Sequence, residues 1–67
     1  MMIRITPGCL LDAETRKFRP IVLEPGRIFF VGTGYDEADE ACEHAQRAIM
    51  LGSYLGWHSH SIMGGHQ

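Results

Sequence analysis

Ala38-Asp39-Glu40-Ala41-Cys42-Glu43-His44-Ala45-Gln46-Arg47-Ala48-Ile49-Met50-Leu51 carries its small and apolar side chains at Ala38, Ala41, Cys42, Ala45, Ala48 and Ile49, with Gly52 just beyond. Steps of three and four residues draw one stripe along a helix. Asp39, Glu40, Glu43, His44, Gln46 and Arg47 fall on the other side. The pattern predicts a helix over about 36–51. Asp36 is its expected N-cap, accepting from the backbone N–H of Asp39. Acids crowd the first turn, where the helix dipole favours them, and Glu43 and Arg47 are spaced and ordered for an i,i+4 pair. A stripe made mostly of alanine lets the helix backbone lie close to a sheet, so the sheet must supply the bulk of the core.

Upstream, residues 18–23 and 27–32 are apolar, β-branched or aromatic runs separated by Glu24-Pro25-Gly26. Proline followed by glycine suits the two central positions of a type II turn, because glycine takes the positive φ without strain. Phe18, Ile21, Leu23, Ile28, Phe29 and Phe30 are the expected bulk of the core. Pro20 lacks an N–H and predicts an edge strand or a strand start. Met2-Ile3-Arg4-Ile5-Thr6 alternates and predicts a strand reversing at Pro7-Gly8, with Cys9-Leu10-Leu11 pairing back; residues 12–17 hold the charges of a loop or hairpin tip. After Gly52, residues 54–62 have strand character, with Leu55, Trp57, Ser59 and Ser61 on one face and His58, His60 and Ile62 on the other. The expected fold is α+β: a small antiparallel β-sheet of three to five short strands, with one amphipathic helix packed on one face. Residues 1–67 are expected to form a single domain, with 62–67 as a flexible C-terminal stretch.

A chain of 67 residues buries only about 60% of its unfolded surface, near the lower limit for folding without help from a metal or a partner. With 45% hydrophobic and 21% charged residues, its composition is that of a globular protein. Residues 1–34 hold five cations against three acids, and residues 35–67 hold five acids against Arg47 alone. Such asymmetry points to charge complementarity within the fold, between copies, or with a basic partner, and a helix charge run is most often simply a solvated face. Six scattered cations do not make the concentrated basic surface that nucleic acid requires. No apolar stretch approaches a membrane span, and the expected location is cytoplasmic. Cys9 and Cys42 form neither a CxxC pair nor a dense framework and are expected to stay reduced.

His58-Ser59-His60 on a strand sends both imidazoles to one side, as zinc sites on sheets require. Two donors are too few, and His66, His44 or Cys42 are the candidates to complete a set. Only seven residues follow His60, which leaves little material for further ligands and a walled cavity. Cys42, on the predicted buried stripe beside acids, is in the wrong setting for a reactive thiolate; Cys9 is undecided. Gly32-x-Gly34 lacks the lysine and further glycines of a phosphate loop. Tyr54 and Trp57 read equally well as core residues or as anchors of an interface.

Three stretches resemble known families. Tyr54-Leu55-Gly56-Trp57-His58-Ser59-His60-Ser61 resembles the zinc motif of JAMM/MPN-type isopeptidases. That likeness implies a downstream zinc-binding aspartate, which this chain does not supply, and an upstream glutamate, for which only Glu24 stands. Gly8-Cys9-Leu10-Leu11-Asp12 with Gly26-Arg27-Ile28-Phe29-Phe30-Val31-Gly32 is similar to the opening β segment of metal-dependent amidohydrolases, whose full barrel needs roughly 250 residues. Either likeness would make the chain a truncated relic of a His-x-His metallohydrolase. The layout around residues 34–49, a β-hairpin followed by an acidic cap and an Ala-spaced helix, is similar to small HicB-type antitoxin domains and to small phage or mobile-element proteins. That likeness implies a protein that acts by binding other proteins.

The expected function is accordingly a non-catalytic protein–protein interaction or regulatory role with no catalytic residue. The partner is a protein, either a second copy in a homodimer or a basic protein held through Asp36, Glu37, Asp39, Glu40 and Glu43. Zinc binding through His58, His60 and His66 is the alternative.

Overall fold

Three antiparallel strands come first along the chain: β1 Thr6–Asp12, β2 Lys17–Glu24 and β3 Arg27–Phe30. Helix α1, Ala38–Leu51, follows, then a 3₁₀ turn at Ser53–Gly56 and β4, His58–Ser61. A computed structural model describes residues 4–62 of the chain. Met63, Gly64, Gly65, His66 and Gln67, most of the stretch expected to be flexible, lie outside the described residues. The sheet order is β1-β2-β3-β4, with each neighbour antiparallel. One helix packs on one face of this sheet, the expected α+β architecture.

The β2–β3 hairpin closes as the turn chemistry requires. Glu24 pairs with Arg27 across Pro25-Gly26, and Gly26 has a φ of 80°. The first reversal differs from expectation. Pro7 and Gly8 lie within β1, opposite Val22 and Ile21, and the chain turns instead at residues 13–16. Asp12 organises that turn: its carbonyl accepts from Arg16 N–H at 2.7 Å and its carboxylate from Glu14 N–H at 3.0 Å. A Pro-Gly pair breaks a strand only where the chain needs its N–H, and β1 is an edge strand.

Pro20 also departs from expectation, since β2 is an inner strand. The β2–β3 ladder ends at Ile21–Phe30, and farther along the same side Phe18 exchanges two backbone hydrogen bonds with Tyr35. By strand alternation, the missing N–H of Pro20 falls in the gap between these two pairings, where β3 has already left the sheet. A proline is tolerated there without an orphaned donor.

Helix α1 begins two residues later than expected. Its N-cap is Glu37, extended at φ −119° and ψ 140° with no side-chain capping bond. Asp36 does not cap, because its carboxylate accepts from Lys17 Nζ instead. That ion pair joins the cation-rich first part of the chain to the acid-rich second part. Glu43 and Arg47 are not within ion-pair distance of each other; among the described residues the ion pairs are Lys17–Asp36 and Arg19–Asp12. At the C-terminus, Gly52 takes the left-handed conformation at φ 74° and donates its N–H to Ile49 O, ending the helix sharply.

Ala41, Ala45 and Ala48 are buried against the sheet, and α1 lies over β1 and β2. Val22, fully buried, and Phe29 rise from the sheet to meet the stripe. Tyr54, on the 3₁₀ turn, covers β3 by setting its ring edge-on to Phe29, with centroids 5.0 Å apart. The Tyr54 hydroxyl donates to Glu24 Oε2 at 3.1 Å. This local helical turn occupies the first part of the expected 54–62 strand, which begins only at His58.

Of the six residues expected to fill the core, Ile21 and Phe29 are buried, and only Phe18 and Phe29 share the helix-side alternation of Pro20 and Val22. Ile21, Leu23, Ile28 and Phe30 fall on the opposite face, because successive strand residues point to opposite sides. The apolar material is divided between two faces, and α1 covers one.

Two outcomes follow from this packing. Replacing Ala45 with leucine forces a branched side chain between helix and sheet and should cost about 1–3 kcal/mol. A thermal melt of Ala45→Leu should show a midpoint lower by roughly 5–20 °C; an unchanged midpoint would mean that the helix does not lie flat on the sheet. Burial first, then the hydrogen bond and the negative charge of Glu24, raise the Tyr54 phenol above its ordinary pKa of 10.0. A raised folded-state pKa gives stability that is fully present below the unfolded value and is lost as pH rises toward the folded one. Unfolding free energy should therefore fall above about pH 10, and Tyr54→Phe should show a shallower alkaline loss than the parent chain.

Candidate functional site

Leu10, Ile21, Ile28 and Phe30 line a shallow groove of about 330 Å³ on the sheet face turned away from α1, with Arg19 and His60 at its margins. Strand alternation builds it: Leu10 lies opposite Arg19, Gly8 opposite Ile21, and Ile28 opposite His60. A Cβ at Gly8 would come into van der Waals contact with Ile21, 3.4 Å from its Cγ1. Leu23 belongs to the same side, one alternation from Ile21. Among the described residues, no helix or strand is laid across this face. Leu10 is 53% exposed there, while Ile28 and Phe30 are half-buried.

The charges beside this face are paired within the chain. Arg19 Nε lies 3.3 Å from Asp12 Oδ2, and Lys17 is bound to Asp36. Each exposed pair contributes little to stability, but together they leave the rim close to electrically balanced.

His58 and His60 share the open face, as the His-x-His spacing requires. His58 stacks on Phe30, with centroids 5.9 Å apart and ring planes at 28°. His60 lies opposite Ile28. The other imidazole considered as a ligand, His44, is elsewhere: its Nδ1 is 2.8 Å from the Tyr35 hydroxyl, and its ring meets Tyr35 and Trp57 edge-on at 5.6 and 5.5 Å. Cys42 is on α1, on the helix side of the sheet. Among the described residues, no three His, Cys, Asp or Glu side chains come together as a metal-binding group. His66 lies outside the described residues.

The Tyr35–His44–Trp57 cluster is absent from the sequence reading. It ties the loop after β3, the middle of α1 and the entry to β4 together, and it explains why His44 sits on a face that otherwise reads as solvated. A shallow polar cleft of about 310 Å³ borders it, lined by Tyr35, Glu40, Glu43, His44 and Arg47. The tyrosine–histidine hydrogen bond joins the loop after β3 to α1 beside that cleft.

Glu37, Asp39, Glu40 and Glu43 are exposed along the first half of α1, and Asp36 is held by Lys17. Met50 and Leu51 at the far end of the helix are 83% and 73% exposed, and Leu55 on the 3₁₀ turn is 65% exposed. No described helix is long and apolar enough to cross a membrane. The chain matches no family model, and comparison with curated proteins and with solved structures gives no significant match.

Proposed function

We propose that this chain works by protein–protein contact and that its primary contact is a homodimer formed through the open face of the sheet. The observation that carries this reading is the pair of uninterrupted runs Ile21-Val22-Leu23 and Ile28-Phe29-Phe30. Strands exposed to water on one side alternate apolar and polar residues, whereas continuous apolar runs belong to strands covered on both sides. One cover is α1, and among the described residues no helix or strand lies on the other side.

Three considerations favour a second copy as the other cover. A protein this small gains most from association, because its own interior is limited. The molecule measures 35 × 27 × 17 Å, and its broad side is large enough for the roughly 800 Å² per partner that a standard interface buries. Finally, a self-contact brings like charges together unless they are already neutralised, and Lys17 and Arg19 both have carboxylate partners within the chain. Two sheets facing each other would make a helix–sheet–sheet–helix sandwich, with Leu10, Ile28 and Phe30 at the centre of a two-fold interface.

Glu37, Asp39, Glu40 and Glu43 stay on the outer layers of such a dimer, free to meet a basic partner, while Asp36 is held by Lys17. That surface has weaker support as the primary contact, because Asp36 is already paired and the others read as an ordinary solvated helix face. Zinc binding through His58 and His60 has no observation in its favour beyond their shared face.

Light scattering on the full chain should give twice the 7.5 kDa chain mass. Ile28→Glu should return the chain mass, while Glu43→Lys on the helix should keep the dimer. Leu10→Lys, at an exposed edge where folding tolerates charge, should weaken the dimer and serves if Ile28→Glu does not fold. A monomeric parent chain, or a dimer indifferent to both sheet-face changes, overturns the proposal.

A further inference from the structure

Both cysteines are free and half-buried, and the fold brings them together across the contact between β1 and α1. Cys9 lies opposite Pro20 in the β1–β2 register, while its neighbour Gly8 lies opposite Ile21 on the open face. Cys9 therefore belongs to the helix side. Cys42 is flanked on α1 by Ala41 and Ala45, both fully buried against the sheet. α1 packs on β1, and Cys9 is the neighbouring thiol that acts on Cys42. A bridge needs Cα atoms within about 7 Å, and alanine neighbours let the helix approach β1 more closely than a bulky stripe would.

We propose that Cys9 and Cys42 form an intramolecular disulfide that staples β1 to α1 when the chain meets an oxidised low-molecular-weight thiol pool. Burial first, then the neighbouring Cys9 and the charge of Asp39, raise the Cys42 thiol above its ordinary pKa of 9.0, which lowers its thiolate fraction. Cys9 takes the first step. Its thiolate attacks one sulfur of a small disulfide such as oxidised glutathione, forming a mixed disulfide and releasing one glutathione thiolate. Cys42 then gives up its proton and attacks the Cys9 sulfur, forming the protein disulfide and releasing the second glutathione. Two protein thiols are oxidised, one small disulfide is reduced to two thiols, and the protons lost by the cysteines are taken up by the departing thiolates.

The bridge closes a loop of more than 30 residues between its cysteines, and so constrains the unfolded chain strongly. It lies on the helix side of the sheet, away from the proposed dimer face, and so stands independently of that reading. The reduced full-length chain is incubated with oxidised glutathione, quenched in acid and alkylated. Intact mass should show the loss of two hydrogens within one chain, and a non-reducing peptide map should join the Cys9 and Cys42 peptides. The thermal midpoint should rise by about 10 °C and fall back on addition of dithiothreitol. Cys42→Ser should halt the reaction at a glutathione adduct on Cys9. Unreacted thiols, stable glutathione adducts on the parent chain, or disulfides between chains each overturn the proposal; the parent chain's mass alone decides it if the variant does not fold.

Discussion

The contact of Ala45 and Ala48 with Val22 and Phe29 governs this fold. Alanine side chains bring the helix backbone close to the sheet, which favours dispersion contacts and a thin two-layer body. The same choice limits what the helix can cover. A narrow stripe laid over β1 and β2 needs Tyr54 from the next turn to protect β3, and it does nothing for the other side of the strands. The hydrogen bond from Tyr54 to Glu24 fixes that second cover by tying it back to the β2–β3 hairpin.

Both proposed features of the molecule stem from this asymmetry. Side chains sized for a core stand on the face that α1 does not reach, bordered by ion pairs closed within the chain. On the covered face, the closeness permitted by alanine draws Cys9 and Cys42 into contact. The proposed association lies on one face and the proposed covalent lock on the other, and the sheet separates them.

Much of the architecture was legible in the sequence because it follows from local chemistry. The three-and-four spacing of the alanines, the Pro25-Gly26 turn and the polar tip at residues 12–17 each specify an element without help from distant residues. Where expectation failed, a distant residue intervened. Lys17 draws Asp36 away from the helix N-terminus; Tyr35 bonds to Phe18 past the point where β3 departs, making room for Pro20; Phe29 holds Tyr54 in a 3₁₀ turn instead of a strand. Assigning Ile21, Leu23, Ile28 and Phe30 to the helix-side core overlooked the two-residue period of a strand, which was present in the sequence. That period also separates Cys9 from Gly8 and predicts which of them faces the helix. By contrast, the joint of Tyr35, His44 and Trp57 leaves no trace in local spacing, since its members come from three elements. The His-x-His spacing correctly gave a shared face for His58 and His60, but spacing cannot say what else stands on that face, and here it is Phe30 and Ile28.

A second copy of the chain is the proposed cover for the apolar side of the sheet away from α1. An isotope-filtered nuclear Overhauser experiment on a mixture of labelled and unlabelled chains tests it directly, by detecting only contacts between copies. The account predicts cross-copy signals among Leu10, Ile28 and Phe30. An absence of such signals, or signals confined to Met50, Leu51 and Leu55, would contradict it.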